Sequence, residues 1–230
     1  MASQLASPLP PLLSRLFLCD DTEPRGAADQ MAIDEAWLRA TDRPVLRFYR
    51  WAAPAVTFGY FGEFGEVAAM VAGRDVARRW TGGGIVEHGS DTTYALLMPA
   101  RAGVAPLRAR EVYAWVHHAL AGALIPGDQP LALAPSEAVV GAGGHCFERP
   151  VAGDLVRGVR KLAGAAQRRT REGLLHQGSV AVVMGQAERL AFAQALGQQV
   201  DRCTPGRGVC RESERLVHER YGRLDWLQSR

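Results

Sequence analysis

Short strand-like runs and helical repeats follow one another along this sequence without a regular strand–helix–strand alternation. A doubly wound parallel sheet requires that alternation, because a helix normally joins each parallel strand to the next. The 230 residues show no internal repeat and no long linker, and they suffice for one sizeable hydrophobic core. The sequence therefore predicts an α+β fold, a single mixed-sheet domain with flanking helices.

The first helical repeat begins at Asp29, the predicted N-cap, and ends near Ala40. Apolar residues recur at positions 33, 36, 37 and 40, which is the spacing of one helix face. Asp34 and Glu35 lie off that apolar stripe.

The clearest helical repeat covers Leu107–Leu124, where His117 and His118 lie beside the apolar face. Neighbouring side chains on a helix point about 100° apart, so this pair is poorly arranged for a metal and is expected at the surface. The other predicted helices are Glu63–Ala72, Gln186–Leu196 and Arg211–Gln228.

The predicted strands are short runs of apolar and β-branched residues. They are Arg15–Asp20, Val45–Trp51, Ala55–Phe58, Asp75–Trp80, Ile85–Glu87, Thr92–Met98, Glu137–Val140, Val156–Ala163 and Leu174–Val183, the last two as a hairpin-like unit. Residues 125–135 are rich in Pro and Gly and predict a loop. Residues 1–14 are rich in Pro and Ser and predict a flexible N-terminal arm, which leaves 15–230 as the folded domain.

Composition excludes several classes of partner. A net charge of +3 is too small to indicate nucleic-acid binding, and no apolar run is long enough to predict a membrane span, so a cytoplasmic location is expected. The four cysteines lack the CxxC spacing of a zinc ribbon, and no metal site is predicted. Cys203 and Cys210 could pair or have no role.

The basic residues are 26 arginines and one lysine, Lys161. An ammonium group can lose its proton, whereas a guanidinium stays charged and planar. Retention of a single lysine in so biased a chain indicates a position that needs an amine. The alternative is a lysine left over by chance.

A triple glycine, Gly82–Gly84, follows Arg78, Arg79 and Thr81 at the end of a predicted strand. Such a loop lets the backbone approach a ligand closely and can direct N–H groups at an anion. The spacing matches neither a Walker loop nor a Rossmann fingerprint. From local physics alone, a ligand loop and a flexible hairpin turn are equally good interpretations.

Lys161 lies in a strand-like segment in which it can point into a pocket with Ala163 beside it, and the small residues that follow leave room for a substrate. A partly apolar pocket disfavours the ammonium form and suits the lysine for proton exchange or carbonyl polarisation. Cys146 precedes Lys161 by fifteen residues, and a lysine next to its thiol would favour the nucleophilic thiolate. The alternative for Cys146 is an ordinary buried apolar residue.

Five segments in order resemble the lipoate-protein ligase/octanoyltransferase family. They are Met31–Glu35, Thr57–Tyr60, Arg78–Gly84, the Gly-x-Arg-Lys-x-Ala-Gly-x-Ala-Gln-x-Arg run at 158–169, and the His-Gln-Gly-Ser at 176–179. Each is weak alone, but five in sequence from about residue 30 to 185 are specific. The resemblance implies one α+β catalytic domain over 15–230, shared in outline with biotin protein ligases.

The family resemblance also implies roles for individual residues. Lys161 would lie at the acyl carbonyl as a catalytic residue, and the glycine-rich loop would line an acyl tunnel. The residues expected to bind substrate are Arg78, Arg79, Thr81, Gly82, Gly83, Gly84, His88, Gly164, Ala166, His176 and Gly178.

The closest branch is that of the cysteine/lysine octanoyltransferases, in which a cysteine followed by phenylalanine precedes the motif lysine by fifteen residues. Cys146–Phe147 and Lys161 match both features. This branch takes octanoate from acyl carrier protein as a cysteine thioester. It then passes the group to a lysine of a lipoyl domain, in a 2-oxoacid dehydrogenase subunit or a glycine-cleavage H protein. No cofactor is expected.

Two alternatives remain open at this point. An ATP-dependent lipoate ligase would use ATP and Mg²⁺ to form an acyl adenylate, with Lys161 stabilising it and Cys146 incidental. Residues 90–94 depart from the Gly-Asn-Leu-Asn-Tyr-like stretch common in such ligases, which counts against ATP use. A non-catalytic relative that binds a lipoylated or acyl-carrier protein is disfavoured by the presence of both Cys146 and Lys161.

Overall fold

The computed structural model describes residues 3–4 (backbone only), 9–103, 108–125, 129–135 and 150–229. Within these residues the chain has a mixed α+β fold, as the sequence predicted. The strands are β1 (Ser3–Gln4), β2 (Leu13–Asp20), β3 (Val45–Tyr49), β4 (Ala55–Phe58), β5 (Asp75–Arg78), β6 (Val86–His88), β7 (Thr92–Pro99), β8 (Leu131–Leu133), β9 (Leu155–Arg157), β10 (Arg160–Thr170), β11 (Gly173–Val180) and β12 (Gly197–Arg202). The helices are α1 (Ala27–Ala40), α2 (Phe64–Val67), α3 (Ala109–Ala123), α4 (Gln186–Leu196), α5 (Arg207–Leu216) and α6 (Leu224–Leu227).

Nine of these strands form one large sheet in the order β1-β8-β9-β10-β11-β7-β3-β2-β12. Its pairs are antiparallel except at one end, where β3, β2 and β12 run parallel. The remaining three strands form a small sheet in the order β5-β4-β6. The two sheets share the pocket described below.

The large sheet is covered on both faces, and alternation along its central strands decides which residue packs on which side. On β7, Leu96 packs in a core with α3 and α4 residues, whereas the next residue, Leu97, packs in a second core with α1 and α5 residues. A strand buried on both faces reads as a continuous apolar run, which is the pattern at 95–98.

Helix α1 differs from its prediction in two ways. It begins at Ala27, whose N–H donates to the Asp75 carboxylate at 2.5 Å, so Asp75 caps the helix and Asp29 lies in the first turn. Asp34 and Glu35 are fully buried although they lie off the apolar stripe. The helix is enclosed on several sides, and both carboxylates have cationic partners: the buried Arg47 for Asp34 and the half-buried Arg220 for Glu35.

The expectation of a surface position for His117 was wrong. The ring is fully buried in α3, and its Nδ1 lies 2.6 Å from the Gly153 carbonyl oxygen. Burial is the largest cause that lowers the pKa of His117 to about 4, so the ring is neutral near pH 7. His118 is half-buried.

Strands β8 and β12 lie where no strand was predicted. β12 has a polar sequence and a single neighbour, β2, so it lacks the apolar alternation that identifies interior strands. β8 falls in the segment predicted as a loop, and the charged tail is divided into α5, a π-helical segment at Val217–Tyr221 and α6. The strand predicted at Glu137–Val140 lies outside the described residues.

Strand β2 begins at Leu13, two residues before its predicted start. In the part of the chain that is described, no helix is both long enough and apolar enough to cross a membrane.

Candidate functional site

Lys161 forms a buried ion pair. Its side chain lies on β10, and Nζ is 2.7 Å from Oδ2 of Asp154, with the two side chains 2% and 0% exposed. The pairing of β10 with β9 is irregular between Lys161 and Ala163. The sequence predicted a lysine in a partly apolar pocket, and the structure adds the carboxylate that compensates its charge.

Asp154 is itself held by two donors. The Tyr113 hydroxyl donates to Oδ1 at 2.5 Å, and the Val151 N–H donates to Oδ2 at 2.7 Å. The Tyr113 hydroxyl also accepts a hydrogen bond from the Ala165 N–H at 3.0 Å. Tyr113 therefore ties helix α3 both to the carboxylate and to the strand that carries Lys161.

Gly164 brings the lysine to the edge of a pocket. A Cβ atom on Gly164 would lie 2.6 Å from Nζ of Lys161, which is closer than any real contact allows. The missing side chain leaves the space that the ammonium group occupies. Gly164 is paired with Ser179, and both residues line the pocket, so Lys161 lies against the pocket lining at this end.

The pocket lies between the two sheets and encloses about 460 Å³ including its open mouth. Its floor crosses β10, β11, β7 and β3, which are consecutive in the large sheet. β4, β6 and the glycine-rich loop form the facing wall. The lining residues are Met31, Tyr49, Trp51, Thr57, Arg79, Gly83, Val86, His88, Thr93, Gly164, Ala165, Ala166, Gln177, Gly178 and Ser179.

Six of the predicted substrate-binding residues line this pocket: Arg79, Gly83, His88, Gly164, Ala166 and Gly178. The structure thus brings the loop, β6, β10 and β11 together as the sequence predicted. Gly178 pairs with Tyr94, and a Cβ on Gly178 would lie 2.3 Å from Cζ of that ring. Glycine is needed there because the tyrosine occupies the position of a side chain.

The remaining loop residues support the wall rather than line it. The carbonyls of Gly82 and Gly84 accept hydrogen bonds from Arg79 at 3.0 and 2.7 Å. The Thr81 hydroxyl donates to Oε1 of Gln177 at 2.7 Å and so joins the loop to β11. The Gln177 amide in turn donates to Asp34 of α1 at 2.8 Å.

Arg78 and His176 lie away from the pocket. Arg78 is buried and donates to backbone carbonyls on both sides, among them those of Gly62 at 2.7 Å and Leu227 at 3.0 Å, so it holds the C-terminal helix. His176 lies on the opposite face of β11, where Nδ1 is 3.0 Å from the Gln167 amide nitrogen. Burial lowers the pKa of His176 well below its ordinary value.

A chain of polar side chains closes the pocket on the side of the small sheet. Arg79 donates to the Thr57 hydroxyl at 2.8 Å, and that hydroxyl lies 2.8 Å from Nε2 of His88. Because the Thr57 hydroxyl accepts a hydrogen bond from Arg79, its own proton can be donated to Nε2 of His88. Nδ1 of the same ring then carries the proton and donates to Asp91 at 2.8 Å. Trp51 stacks on the His88 ring with centroids 4.3 Å apart.

Asp91 lies at the end of this row of hydrogen-bonded side chains and holds it in place. Ser179 and Thr93 also donate to its carboxylate, at 2.6 and 2.9 Å. Burial alone would raise the pKa of Asp91, but the hydrogen bond from His88 and those from its other donors lower it to about 2. The His88 ring is thereby fixed in orientation at the pocket wall.

Cys146 lies outside the described residues, so its predicted role as the acyl-thioester nucleophile stays a prediction. The described chain stops at residue 135 and resumes at Pro150, four residues before Asp154. Among the described side chains, no group of three His, Cys, Asp or Glu is arranged to hold a metal ion.

The family model of the lipoyl protein ligase A/B catalytic domain matches residues 26–216. That range contains both sheets of the pocket except for β1 and β2. The chain belongs to this family.

Similar proteins agree with the family assignment. Octanoyltransferase LipM of Symbiobacterium thermophilum is 34% identical over 174 residues, which cover 70% of this chain and 63% of the relative. The chain thus spans less than two thirds of that relative's length in the match. Among solved structures, a Thermoplasma acidophilum protein with bound lipoic acid superposes with a TM-score of 0.77 and 20% identity, covering 95% of this chain and 99% of its own.

A second T. acidophilum structure, of a bi-partite lipoate protein ligase and its E2 lipoyl domain, has a TM-score of 0.69 and 19% identity. It covers 94% of this chain and 96% of that chain. At these identities the similarity concerns the fold, and it confirms a mixed α+β domain of the lipoate-protein ligase type.

Several residues of this family site had no predicted role. Asp154, Tyr113 and Asp91 hold the predicted ones in place, and Trp51 and Thr57 line the pocket. Asp154 is an acidic residue seven positions before the single lysine, and that proximity is the one pattern that could have suggested the pair. Tyr113 is on a distant helix and has no such pattern.

Proposed function

We propose that the protein transfers an octanoyl group from acyl carrier protein, through a thioester on Cys146, to a lysine of a lipoyl domain. The observation that carries the proposal is the narrow, mainly apolar pocket that ends at Gly164, directly in front of Lys161. Its floor crosses three strand spacings, roughly 14 Å, which accommodates an extended eight-carbon chain. The similarity to octanoyltransferase LipM supports the same reaction.

In the proposed first step, the Cys146 thiolate attacks the thioester carbonyl of the carrier-bound octanoyl group. The new sulfur–carbon bond forms on Cys146, the carrier sulfur–carbon bond breaks, and the carrier sulfur leaves as a thiol with the proton that the Cys146 thiol lost. Lys161, held by Asp154, would stabilise the negative charge that develops on the carbonyl oxygen. Because the group is already activated as a thioester, this reaction needs no ATP.

In the proposed second step, the amine of the acceptor lysine attacks the Cys146 thioester. The amide forms, the Cys146 sulfur leaves, and it recovers a proton from the attacking amine. Thioester-to-amide transfer is favourable, so the enzyme has only to align the groups and manage the proton. The acceptors we propose are the lipoyl domain of 2-oxoacid dehydrogenase subunits and the glycine-cleavage H protein, and the proposed location is the cytoplasm.

The test is the intact mass of the full chain after incubation with octanoyl-acyl carrier protein. The wild type and Cys210→Ser, which removes an exposed thiol, should both gain one octanoyl group that hydroxylamine removes. Cys146→Ser should gain none. Addition of a lipoyl domain should move the label from the wild-type protein to the acceptor lysine.

A specific result contradicts the proposal. If the wild type gains no adduct but forms an acyl adenylate from lipoate, ATP and Mg²⁺, the protein is an ATP-dependent ligase. In that case Cys146→Ser should keep full activity.

A further inference from the structure

Two cysteines from opposite ends of the chain meet at the edge of the large sheet. β12 pairs with β2 in parallel register, with Arg202 opposite Leu18, and the next residues along the two strands are Cys203 and Cys19. The Cys203 N–H donates to the Leu18 carbonyl at 3.0 Å, which extends the ladder to the cysteine. From the sequence, Cys203 and Cys210 could pair or have no role, whereas the structure places Cys19 beside Cys203.

The backbone spacing suits a disulfide. Neighbouring strands lie about 4.8 Å apart, and disulfides join Cα atoms separated by roughly 4.4–6.8 Å. Cys203 also packs against the buried cluster that contains Cys19. Both residues are free thiols in this structure.

The two thiols are unequal. Cys19 is buried, whereas Cys203 is only half-buried and within reach of a small solute. The hydrogen bond from Cys19 lowers the pKa of Cys203 against the opposing effect of burial. The same hydrogen bond, together with burial, raises the pKa of Cys19. A reachable thiolate beside a protected thiol is the arrangement of an attacking and a resolving cysteine.

We propose that Cys19 and Cys203 form a reversible disulfide when the protein meets a peroxide. The Cys203 thiolate attacks one peroxide oxygen, the O–O bond breaks, and Cys203 becomes a sulfenic acid. The Cys19 sulfur then attacks the Cys203 sulfur, forms the S–S bond and releases water. In total two thiols are oxidised, and one hydrogen peroxide is reduced to two waters. This site is separate from Cys146 and does not depend on the octanoyl-transfer proposal.

The experiment uses the full chain carrying Cys146→Ser and Cys210→Ser, which leaves the Cys19–Cys203 pair. After stoichiometric hydrogen peroxide, the intact mass should fall by two hydrogen atoms and return after dithiothreitol. Trypsin should release residues 16–25 linked to residues 203–207, since arginines bound both peptides. Oxidation of Cys203 to sulfinic acid with Cys19 still alkylatable under denaturing conditions would overturn the proposal.

Two further variants of this background test the order of events. With Cys19→Ser, Cys203 should stop at the sulfenic acid and be trapped by dimedone. With Cys203→Ser, Cys19 should stay unmodified at the same peroxide dose, because it is buried. Equal labelling of Cys19 in that last variant would contradict the assignment of Cys203 as the attacking thiol.

Discussion

The large sheet carries two buried ion pairs, and they use different cations. Lys161 pairs with Asp154 beside the pocket residue Gly164. Arg47, also fully buried, donates to Asp34 at 2.7 Å and to Asp21 at 2.8 Å, and it contacts the Gln30 side-chain oxygen. The guanidinium joins three side chains in a fixed fork, whereas the ammonium is a compact group that can exchange its proton.

This difference explains why the chain keeps one lysine among 26 arginines. Where a buried positive charge only ties elements together, arginine serves better, because its planar fork matches several acceptors at once. Arg47 in this way joins β3 to α1 and, through Asp34, to the pocket residue Gln177. Beside Gly164 the chain instead has a lysine, which suits acid–base chemistry.

The strongest test of the difference between the two ion pairs is Lys161→Arg. The substitution keeps the positive charge opposite Asp154 but removes the exchangeable ammonium, so we expect octanoyl transfer to fall about 1,000-fold. The protein should stay folded by circular dichroism. Transfer from octanoyl-carrier protein to a lipoyl domain measures the rate. Activity close to wild type would show that Lys161 contributes only charge.

Asp154→Asn should have the second largest effect. It leaves the Lys161 charge uncompensated in a buried site, which we expect to lower the free energy of unfolding by about 3 kcal/mol and transfer about 100-fold. Chemical denaturation measures the loss of stability, and transfer from octanoyl-carrier protein to a lipoyl domain measures the loss of activity. A loss of stability with wild-type transfer would reduce Asp154 to a structural role.

The matched control for that variant is Asp225→Asn. Asp225 forms an exposed ion pair with Arg223 at 2.7 Å. Exposed pairs contribute little, so stability and activity should both stay at the wild-type value.

Arg47→Lys is the converse exchange and should affect stability more than chemistry. A lysine cannot reach Asp21, Asp34 and Gln30 together, so we expect a loss of about 2 kcal/mol in the free energy of unfolding. Transfer should fall less than about tenfold, through the weaker hold on Gln177. Chemical denaturation measures the first effect, with Arg15→Lys at the exposed pair with Asp201 as the control. An activity loss as large as that of Lys161→Arg would remove the distinction between the two pairs.

The smallest expected effect is on the stability of the protein at acidic pH. His117 has a pKa of about 4 when folded and 6.5 as its ordinary value, so the unfolded chain binds more protons between these pH values. Its neutral form therefore supports the fold above pH 6.5, and that support is lost as the pH falls toward 4. Between pH 7 and 5.5 we expect the free energy of unfolding to decrease by about 1 kcal/mol less in His117→Gln than in the wild type. His118→Gln should change the slope less, because that ring is only half-buried, and equal slopes for His117→Gln and wild type would contradict the assignment.

Local patterns predicted the parts of the site that depend on neighbours in sequence. The glycine loop, Lys161 and Gly164 were identified because motif and strand alternation place them without knowledge of the rest of the fold. The partners that hold them could not be found in this way. Tyr113 reaches Asp154 from a helix 41 residues earlier. Asp34 lies off the apolar stripe of α1 and is nevertheless buried, which amphipathicity cannot predict because it assumes one buried face.

The same limitation applies to the fold. Interior strands such as β7 were predicted from their apolar runs, whereas β12 owes its place to the neighbouring β2 and not to its own polar residues. The pairing of one strand with its neighbour is visible only in the assembled sheet. The active role of Cys146 is likewise a sequence prediction that the octanoyl-adduct experiment decides.

The order of strands in the large sheet has a consequence for how the protein is made. β11 lies between β10 and β7, so the pocket floor is incomplete until residues 160–180 have left the ribosome. Until then β7 has an unpaired edge in an apolar strand, which is a template for aggregation. Synthesis that stalls before Gly173 should therefore give an aggregation-prone nascent chain in need of a chaperone, although most of its residues are already present.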